Sequence, residues 1–273
     1  MPTTQPAAGT VTAVVPARNA EALLPACLDS LRESGVAQII VVDGRSTDGS
    51  REVAERYGAT VVSDDGRGLP FARSLGIATA RTPWVLLVDA DVVFPAGALD
   101  QLLAEFAAGD YDALQAGLES VSGPGYWGRA LAYHHRTGRS RHWFGLVATL
   151  CNRDEMRRIG FDDAFRSGED IELRWRMRDA GLRIGVSRSV LVEHRFAGDD
   201  FAFAMDQFAM DGFGLGRMIR KHGWRGARLA LLPAAAAVRG VAVSLAQRQP
   251  AWIPYFTVFA VANYSGMVRG LRP

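Results

Sequence analysis

One lysine, Lys221, stands against 30 arginines, there are only two cysteines, and no acidic residue follows Asp211. Two cysteines, Cys27 and Cys151, are too few for a disulfide framework; each reads as a lone buried thiol in a reducing compartment. Residues Met1 to Thr10 lack a basic start leading into an apolar stretch, so no cleaved secretory leader is expected. Internal repeats and low-complexity linkers are also missing. What is present is 273 residues, 48% apolar and 22% charged. That composition excludes a disordered or collagen-like chain, and the length fits one large domain or one domain with an appendage.

The net charge of +2 hides an asymmetry. Residues 1–211 carry a net −7, and residues 212–273 carry +9 with no acid. The expected division is therefore a globular domain over 1–211 and a basic, apolar helical segment over 212–273. Within that segment, residues 251–268 run for 18 residues without a charge, close to the roughly 20 needed to span a bilayer. Residues 229–245 are interrupted by Pro233 and Arg239 and make the poorer candidate. Trp252 and Tyr255, with Arg248 and Arg269 outside, resemble interfacial anchors, and anionic leaflets attract such basic segments. The expectation is membrane-surface contact on the cytoplasmic side, peripheral or shallowly anchored at the inner membrane face, with packing as two buried helices as the alternative.

The first half alternates β-branched runs with amphipathic stretches, the pattern of a mostly parallel sheet flanked by helices. Strands are predicted at about 11–15, 38–43, 59–63 and 84–88. Helices are predicted over Glu21–Arg32, Thr47–Tyr57 and Leu69–Ala80, with another opening at Pro95. A strand near 112–119 leads into an irregular stretch rich in Gly and Arg. Helical patterns return at Glu155–Ile159, at Glu169–Ala180 with Gly181 as the stop, and at about 200–221.

Three acidic positions sit where such a fold does chemistry. Asp89-Ala90-Asp91 follows the apolar strand Trp84–Val88, so two carboxylates emerge at the C-terminal edge of a parallel strand, where open α/β sheets bind ligands. Residues i and i+2 face the same way and can share one hard cation. Asp43 ends Gln38–Val42 and can accept from a base or ribose, whereas Asp48 is expected to cap the next helix. Glu169 and Asp170 open a helix whose macrodipole favours their ionised forms, and an ionised carboxylate there can act as a general base.

The order and spacing of VVPARNAEALLPACLDSL, IIVVDGRSTDGS, GRGLPFARSLGIATA, WVLLVDADV and FDDAFRSGEDIELRWRMRDAGLRI resemble the family 2 glycosyltransferases of the GT-A fold. Within that family they are most similar to the bacterial exopolysaccharide enzymes, succinoglycan-type ones included. The resemblance covers about residues 11–195. It implies an α/β nucleotide-diphospho-sugar transferase fold and a nucleoside-diphosphate sugar as donor, UDP-linked by preference. Pro16, Ala17, Arg18, Asn19 and Asp43 would hold the nucleotide, and Arg67 would approach the donor. Asp89, Ala90 and Asp91 would bracket ribose and a divalent metal, Mg²⁺ or Mn²⁺, with Asp91 and His194 as ligands. Asp170 would take the proton from the acceptor hydroxyl, so that its oxygen attacks C1 opposite the leaving group and inverts the anomeric centre.

Glu169, Arg141 and Trp143 are the acceptor-side candidates. Arg129, Arg136, Arg139 and Arg141 crowd a loop with Tyr126 and Trp127, and guanidinium groups suit phosphate oxygens. The acceptor implied is a saccharide, polyprenyl-diphosphate-linked by preference. His134 and His135 match no motif and read as structural. Two departures stand out: Arg45 replaces a usual glycine, and no Gln-x-x-Arg-Trp motif follows Asp170, which favours single addition over polymer synthesis. A nucleotidyltransferase and a non-catalytic membrane-associated subunit are the competing classes. Nucleic-acid binding is not expected, because the cations accompany apolar runs.

Overall fold

A computed structural model describes residues 6–138, 143–165 and 167–272. Contacts divide the chain into two compact units. The first comprises Met1–Glu119, His142–Asp163 and Leu173–Arg195, and the second Ser120–Arg141, Ala164–Glu172 and Phe196–Pro273. The boundary expected after residue 211 falls inside the continuous helix Phe201–His222.

The first unit is built on an eight-stranded sheet. In chain order its elements are β1 (Val11–Ala17), α1 (Leu24–Glu33), β2 (Gln38–Asp43), α2 (Ser50–Arg56), β3 (Thr60–Ser63), α3 (Leu69–Thr79) and β4 (Trp84–Val88). These continue with β5 (Val92–Val93), α4 (Ala98–Ala108), β6 (Ala113–Val121), β7 (Ala148–Asn152), α6 (Arg153–Ile159) and β8 (Ile184–Arg195), where α5 is the intervening helix Tyr126–Thr137. The strand order is β3-β2-β1-β4-β7-β6-β8-β5. The expected four strands form its parallel half, with β1 paired to β2 and β4, and β2 to β3. Strands β1, β2 and β4 are buried on both faces, which is why they read as unbroken apolar runs.

Beyond β4 the sheet is mixed. Strand β7 runs antiparallel to β4 and to β6, and β5 antiparallel to β8. The apolar run around Ala148–Cys151 supplies β7, whose five residues are all buried. One core layer packs α1 and α4 on the sheet through Leu28, Leu31, Leu99 and Leu102, and the other uses Ile77, Met156 and Met177.

The second unit is helical: α5, the start of α7 (Glu169–Asp179), α8 (Phe201–His222), α9 (Trp224–Ala227), α10 (Leu232–Ala246) and α11 (Ile253–Leu271). The stretch expected as an irregular loop holds α5, because Gly128, Ala130, Leu131 and Tyr133 bury one face despite the glycine and arginine around them. Tyr133, Phe208, Tyr255 and Phe256 form its aromatic core. Phe208 and Tyr255 meet edge to face with ring centroids 5.3 Å apart, a geometry adding about 0.5–1.5 kcal/mol to area burial. Helices α8 and α11 approach closely at glycines: a Cβ on Gly212 would overlap the Asn263 carbonyl oxygen, and one on Gly266 the Ala209 carbonyl oxygen.

This packing reverses the ranking of the C-terminal segments. Residues 253–271 bury Tyr255, Phe256 and Met267 inside the unit. Among the described residues the helical run Trp224–Ala246 is instead the one long and apolar enough to cross a membrane, by length and composition, and only 28% of its apolar stretch is buried. Pro233 does not break it, because that proline lies in the first turn of α10, where a missing N–H is tolerated.

Candidate active site

The C-terminal edge of the parallel strands carries two loops laced to each other. In the β1–α1 loop, the Asn19 backbone N–H donates to Ser46 Oγ at 3.0 Å, and Asn19 Oδ1 accepts from the Thr47 N–H at 2.9 Å. The Ala20 N–H reaches Ser50 Oγ, and the Glu21 carboxylate accepts from the Gly49 N–H. Asp48 accepts from the Ser50 N–H and from the Glu21 N–H, so it clamps the neighbouring loop; the cap of α2 is Gly49 and not Asp48 as expected. Pro16, Ala17, Arg18 and Asn19 are thereby brought beside Asp43, with Arg18 and Asn19 exposed. Asp43 is buried at the tip of β2 and accepts from the Ser46 N–H at 3.2 Å.

Arg45 holds a left-handed φ of 59°, which costs a side-chain-bearing residue roughly 1–2 kcal/mol and accounts for glycine being the easier residue there. Its Cδ lies over Gly66 in the β3–α3 loop, a loop held by Asp64 accepting from the Gly66 and Gly68 N–H groups. Arg67 in that loop pairs with Asp163 at 3.1 Å and stacks on Phe71, 3.3 Å from the ring centroid. Both partners of this pair are half-exposed, so it is worth about 0–1 kcal/mol and a phosphate oxygen can displace it.

Asp89, Ala90 and Asp91 follow β4 directly, as the sequence predicts. The Arg195 N–H donates to the Asp91 carbonyl, and the antiparallel register sets His194 opposite Val92. The long strand β8 therefore brings His194 to Asp91, with Nε2 3.3 Å from Oδ2. Burial of the His194 ring opposes its protonation, but the hydrogen bond and the charges of Asp91 and Asp89 outweigh that and hold its pKa above the ordinary imidazole value. Asp91 Oδ1 is buried with no hydrogen-bond partner among the described residues. A carboxylate oxygen held dry with a lone pair unused is what a hard divalent cation satisfies. Among the described residues no three His, Cys, Asp or Glu form a closed metal cage, which suits a cation that takes its remaining ligands from substrate phosphates and water.

Arg73 belongs to this site although the sequence reading passed over it. It is 1% exposed on α3, and its Nη2 donates to Asp89 Oδ1 at 2.8 Å. Burial pushes the Asp89 carboxyl up, the Asp91 charge adds to that, and the Arg73 guanidinium opposes both. The available signal was a charge in phase with the apolar stripe of α3, between Leu69, Ile77 and Ala80.

In the second unit, Gly168 (φ 77°) turns the chain into α7 and packs against Gly214 of α8, while Ser167 Oγ donates to the Met210 carbonyl. Of the two acids that open α7, Glu169 is 7% exposed, whereas Asp170 keeps partial access to solvent. The helix start is anchored by Glu172, fully buried, whose Oε1 accepts from Lys221 Nζ at 2.6 Å with His222 at 3.7 Å. The single lysine thus holds the helix that presents Asp170.

The acceptor-side candidates fare unevenly. Arg141 and Arg139 lie outside the described residues, and Arg129 and Arg136 are on the exposed side of α5. Trp143 is half-buried, its carbonyl accepting from Gln115 and its ring lying under the Arg174 guanidinium at 4.1 Å. His134 and His135 are structural: Tyr255 Oη is 3.1 Å from His134 Nδ1, and Ser120 Oγ is 2.7 Å from His135 Nδ1.

A parallel β/α half extended by antiparallel strands, with paired acids at the tip of its central strand, defines the GT-A fold, and solved structures bear this out. A mannosyltransferase from Pyrobaculum calidifontis in complex with GDP-mannose and Mn²⁺ superposes with a TM-score of 0.66 at 20% identity, over 95% of this chain and 87% of that one. Glucosyl-3-phosphoglycerate synthase from Mycobacterium tuberculosis, with Mn²⁺, UDP and glucosyl-3-phosphoglycerate, gives 0.56 at 20% over 77% and 78%. The family profile described as Glycosyl transferase family 2 matches residues 12–167, and the chain belongs to that family of glycosyltransferases.

Among curated relatives, succinoglycan biosynthesis protein ExoA of Rhizobium meliloti is 27% identical over 63% of this chain and 58% of its own. An uncharacterized glycosyltransferase of Mycobacterium bovis is 41% identical over 36% of this chain and 44% of its own. The chain thus spans about half the length of these relatives.

Proposed function

We propose that this glycosyltransferase is metal-dependent and inverting, and that it moves one sugar per encounter from a nucleoside-diphosphate sugar, UDP-linked by preference, to a hydroxyl of a lipid-linked saccharide. The observation that carries the reading is the Asp91–His194 pair with its dry, unpartnered Asp91 Oδ1 at the tip of β4. Asp91 and His194 would hold a divalent cation, which when bound neutralises charge on the leaving diphosphate. Asp89, fixed by Arg73, keeps its remaining oxygen for the donor ribose. Asp43 and the Pro16–Asn19 loop hold the nucleotide, and Arg67 exchanges Asp163 for donor phosphate. Asp170 receives the acceptor proton, its ionised form favoured by the first turn of α7.

Attachment at a membrane surface rests on the run Trp224–Ala246. Trp224, Leu231, Val238 and Leu245 recur every seventh residue and are 90%, 68%, 71% and 57% exposed, an apolar stripe along one face. Arg225, Arg228 and Arg239 accompany it, each cation near an anionic leaflet contributing about 1 kcal/mol. That surface is where a polyprenyl-diphosphate acceptor resides.

Isothermal titration with UDP, GDP and dTDP, each with Mn²⁺ and with EDTA, tests the donor half. Metal-dependent binding of one diphosphate is expected. Folded protein that binds none of them overturns the reading, and release of pyrophosphate from a nucleoside triphosphate and a sugar phosphate would replace it with nucleotidyl transfer.

A further inference from the structure

Arg45 keeps a left-handed backbone, φ 59°, that glycine would adopt without strain, and strained conformations of this kind cluster at ligand sites. Its surroundings show what the side chain is needed for. At the C-terminal edge of the sheet three chain segments lie side by side, because the Gly44 N–H donates to the Ala17 carbonyl and the Asp64 N–H to the Asp43 carbonyl. Arg18 therefore flanks Asp43 from the β1 side, where a Cβ on Gly44 would lie 3.2 Å from the Arg18 Cβ. Arg45 turns to the β3 side, where a Cβ on Gly66 would lie 3.3 Å from the Arg45 Cδ.

Both arginines are exposed, and among the described residues no hydrogen bond or ion pair engages either guanidinium. Asp43, buried between them, has Oδ1 occupied by the Ser46 N–H, whereas Oδ2 accepts no hydrogen bond among the described residues. The row across the strand tips thus reads donor, acceptor, donor. Neighbouring strands are spaced by about 4.8 Å, so in the order β2-β1-β4 the tip of β2 stands about 10 Å from the tip of β4, which carries Asp89 and Asp91. A nucleotide with its diphosphate at Asp91 and its ribose at Asp89 carries its base across β1 to Asp43.

We infer that Arg45 is a base-specificity residue of the donor site, and that Arg18, Asp43 and Arg45 together read the imide edge of uracil. That edge presents carbonyl, ring N–H, carbonyl, which complements guanidinium, carboxylate, guanidinium. The ribose lies on the β1 side, so the C2 carbonyl meets Arg18, the N3–H meets Asp43 and the C4 carbonyl meets Arg45. Cytosine would turn an amino group to Arg45; guanine would match Arg45 and Asp43 but turn its 2-amino group to Arg18. Each misplaced amino group sets donor against donor and leaves a charge unpaired. This inference rests on the nucleoside-diphosphate reading of the site and supplies a physical reason for a uridine donor.

The test is isothermal titration of the full chain with UDP, CDP and GDP, each with Mn²⁺, for wild type, Arg45→Gly and Arg18→Ala. Wild type is expected to prefer UDP over each of the others by roughly tenfold or more, the worth of one charge-assisted hydrogen bond. Arg45→Gly should narrow the UDP-to-CDP ratio by roughly tenfold and leave the UDP-to-GDP ratio unchanged, and Arg18→Ala should do the reverse. Glycine takes φ 59° without strain, so Arg45→Gly stays folded, which thermal melting checks. Ratios unchanged in both variants, with all three diphosphates weakened alike, would put these arginines on phosphate and overturn the inference. So would wild-type protein that binds CDP or GDP as tightly as UDP. Folded wild-type protein that binds none of the three overturns the donor reading itself and this inference with it, so the two failures are distinguishable.

Discussion

Replacing Arg73 with methionine isolates what the donor site demands of the fold. The Arg73 guanidinium is 2% exposed, and its partner Asp89 keeps 27% of its side-chain surface in solvent. Breaking a fully buried pair by removing one partner costs about 3–5 kcal/mol. Because water still reaches part of Asp89, a cost just below that range, about 2–3 kcal/mol, is expected. For a chain of this size that corresponds to a fall in melting temperature of roughly 5–10 °C. Most of the cost arises from an uncompensated carboxylate, so Asp89→Asn added to Arg73→Met should recover much of it while leaving the donor site impaired. Thermal unfolding of wild type, both single variants and the double variant gives the coupling directly. Equal melting of Arg73→Met and the double variant would refute the argument, since the carboxylate would then have no need of the cation.

Asp170→Asn is expected to leave affinity for the nucleoside diphosphate and Mn²⁺ intact and to cut transfer by about 10²–10⁴, measured as product formed at saturating donor; a parallel loss of donor affinity contradicts that division of roles. Replacing Trp224, Leu231 and Val238 together with serine should shift the protein from anionic vesicles to the supernatant in sedimentation. Deleting residues 229–273 is the poorer experiment, because Tyr255 and Phe256 are fully buried and would leave with them. Burial lowers His134 to about 4 against 6.5 ordinarily, so a contribution to stability that is full above the upper value is lost as pH falls to the lower one. The readout is the stability of wild type minus that of His134→Gln across that range; a difference that is flat with pH would be the refuting result.

Sequence periodicity alone located β1, β2, β4 and α3 to within a residue or two, because strands buried on both faces must be apolar throughout and helices facing a sheet must carry a stripe. The same local logic placed Asp43, Asp89, Asp91 and Asp170 at or just beyond the ends of elements, where a short motif marks each end. Strand β8 was not read from the sequence: its faces alternate irregularly, and its partners lie far away along the chain. The C-terminal helices were misranked for a related reason. Hydropathy counts apolar residues but does not say which face meets a neighbour, and the glycines that seat α11 on α8 carry almost no hydropathy signal.

Residue type and spacing therefore determined the class of fold, the family and the acids that stand at strand and helix ends. The tertiary structure decided which charges meet. Arg73 and Asp211 each interrupt an apolar helical stripe, and Glu172 lies on a largely charged helix; the sequence shows these charges without their surroundings. Only the packed chain pairs Arg73 with Asp89 and Glu172 with Lys221, and leaves Asp211 facing water, because a charge turned inward must find either an opposite charge or an opening.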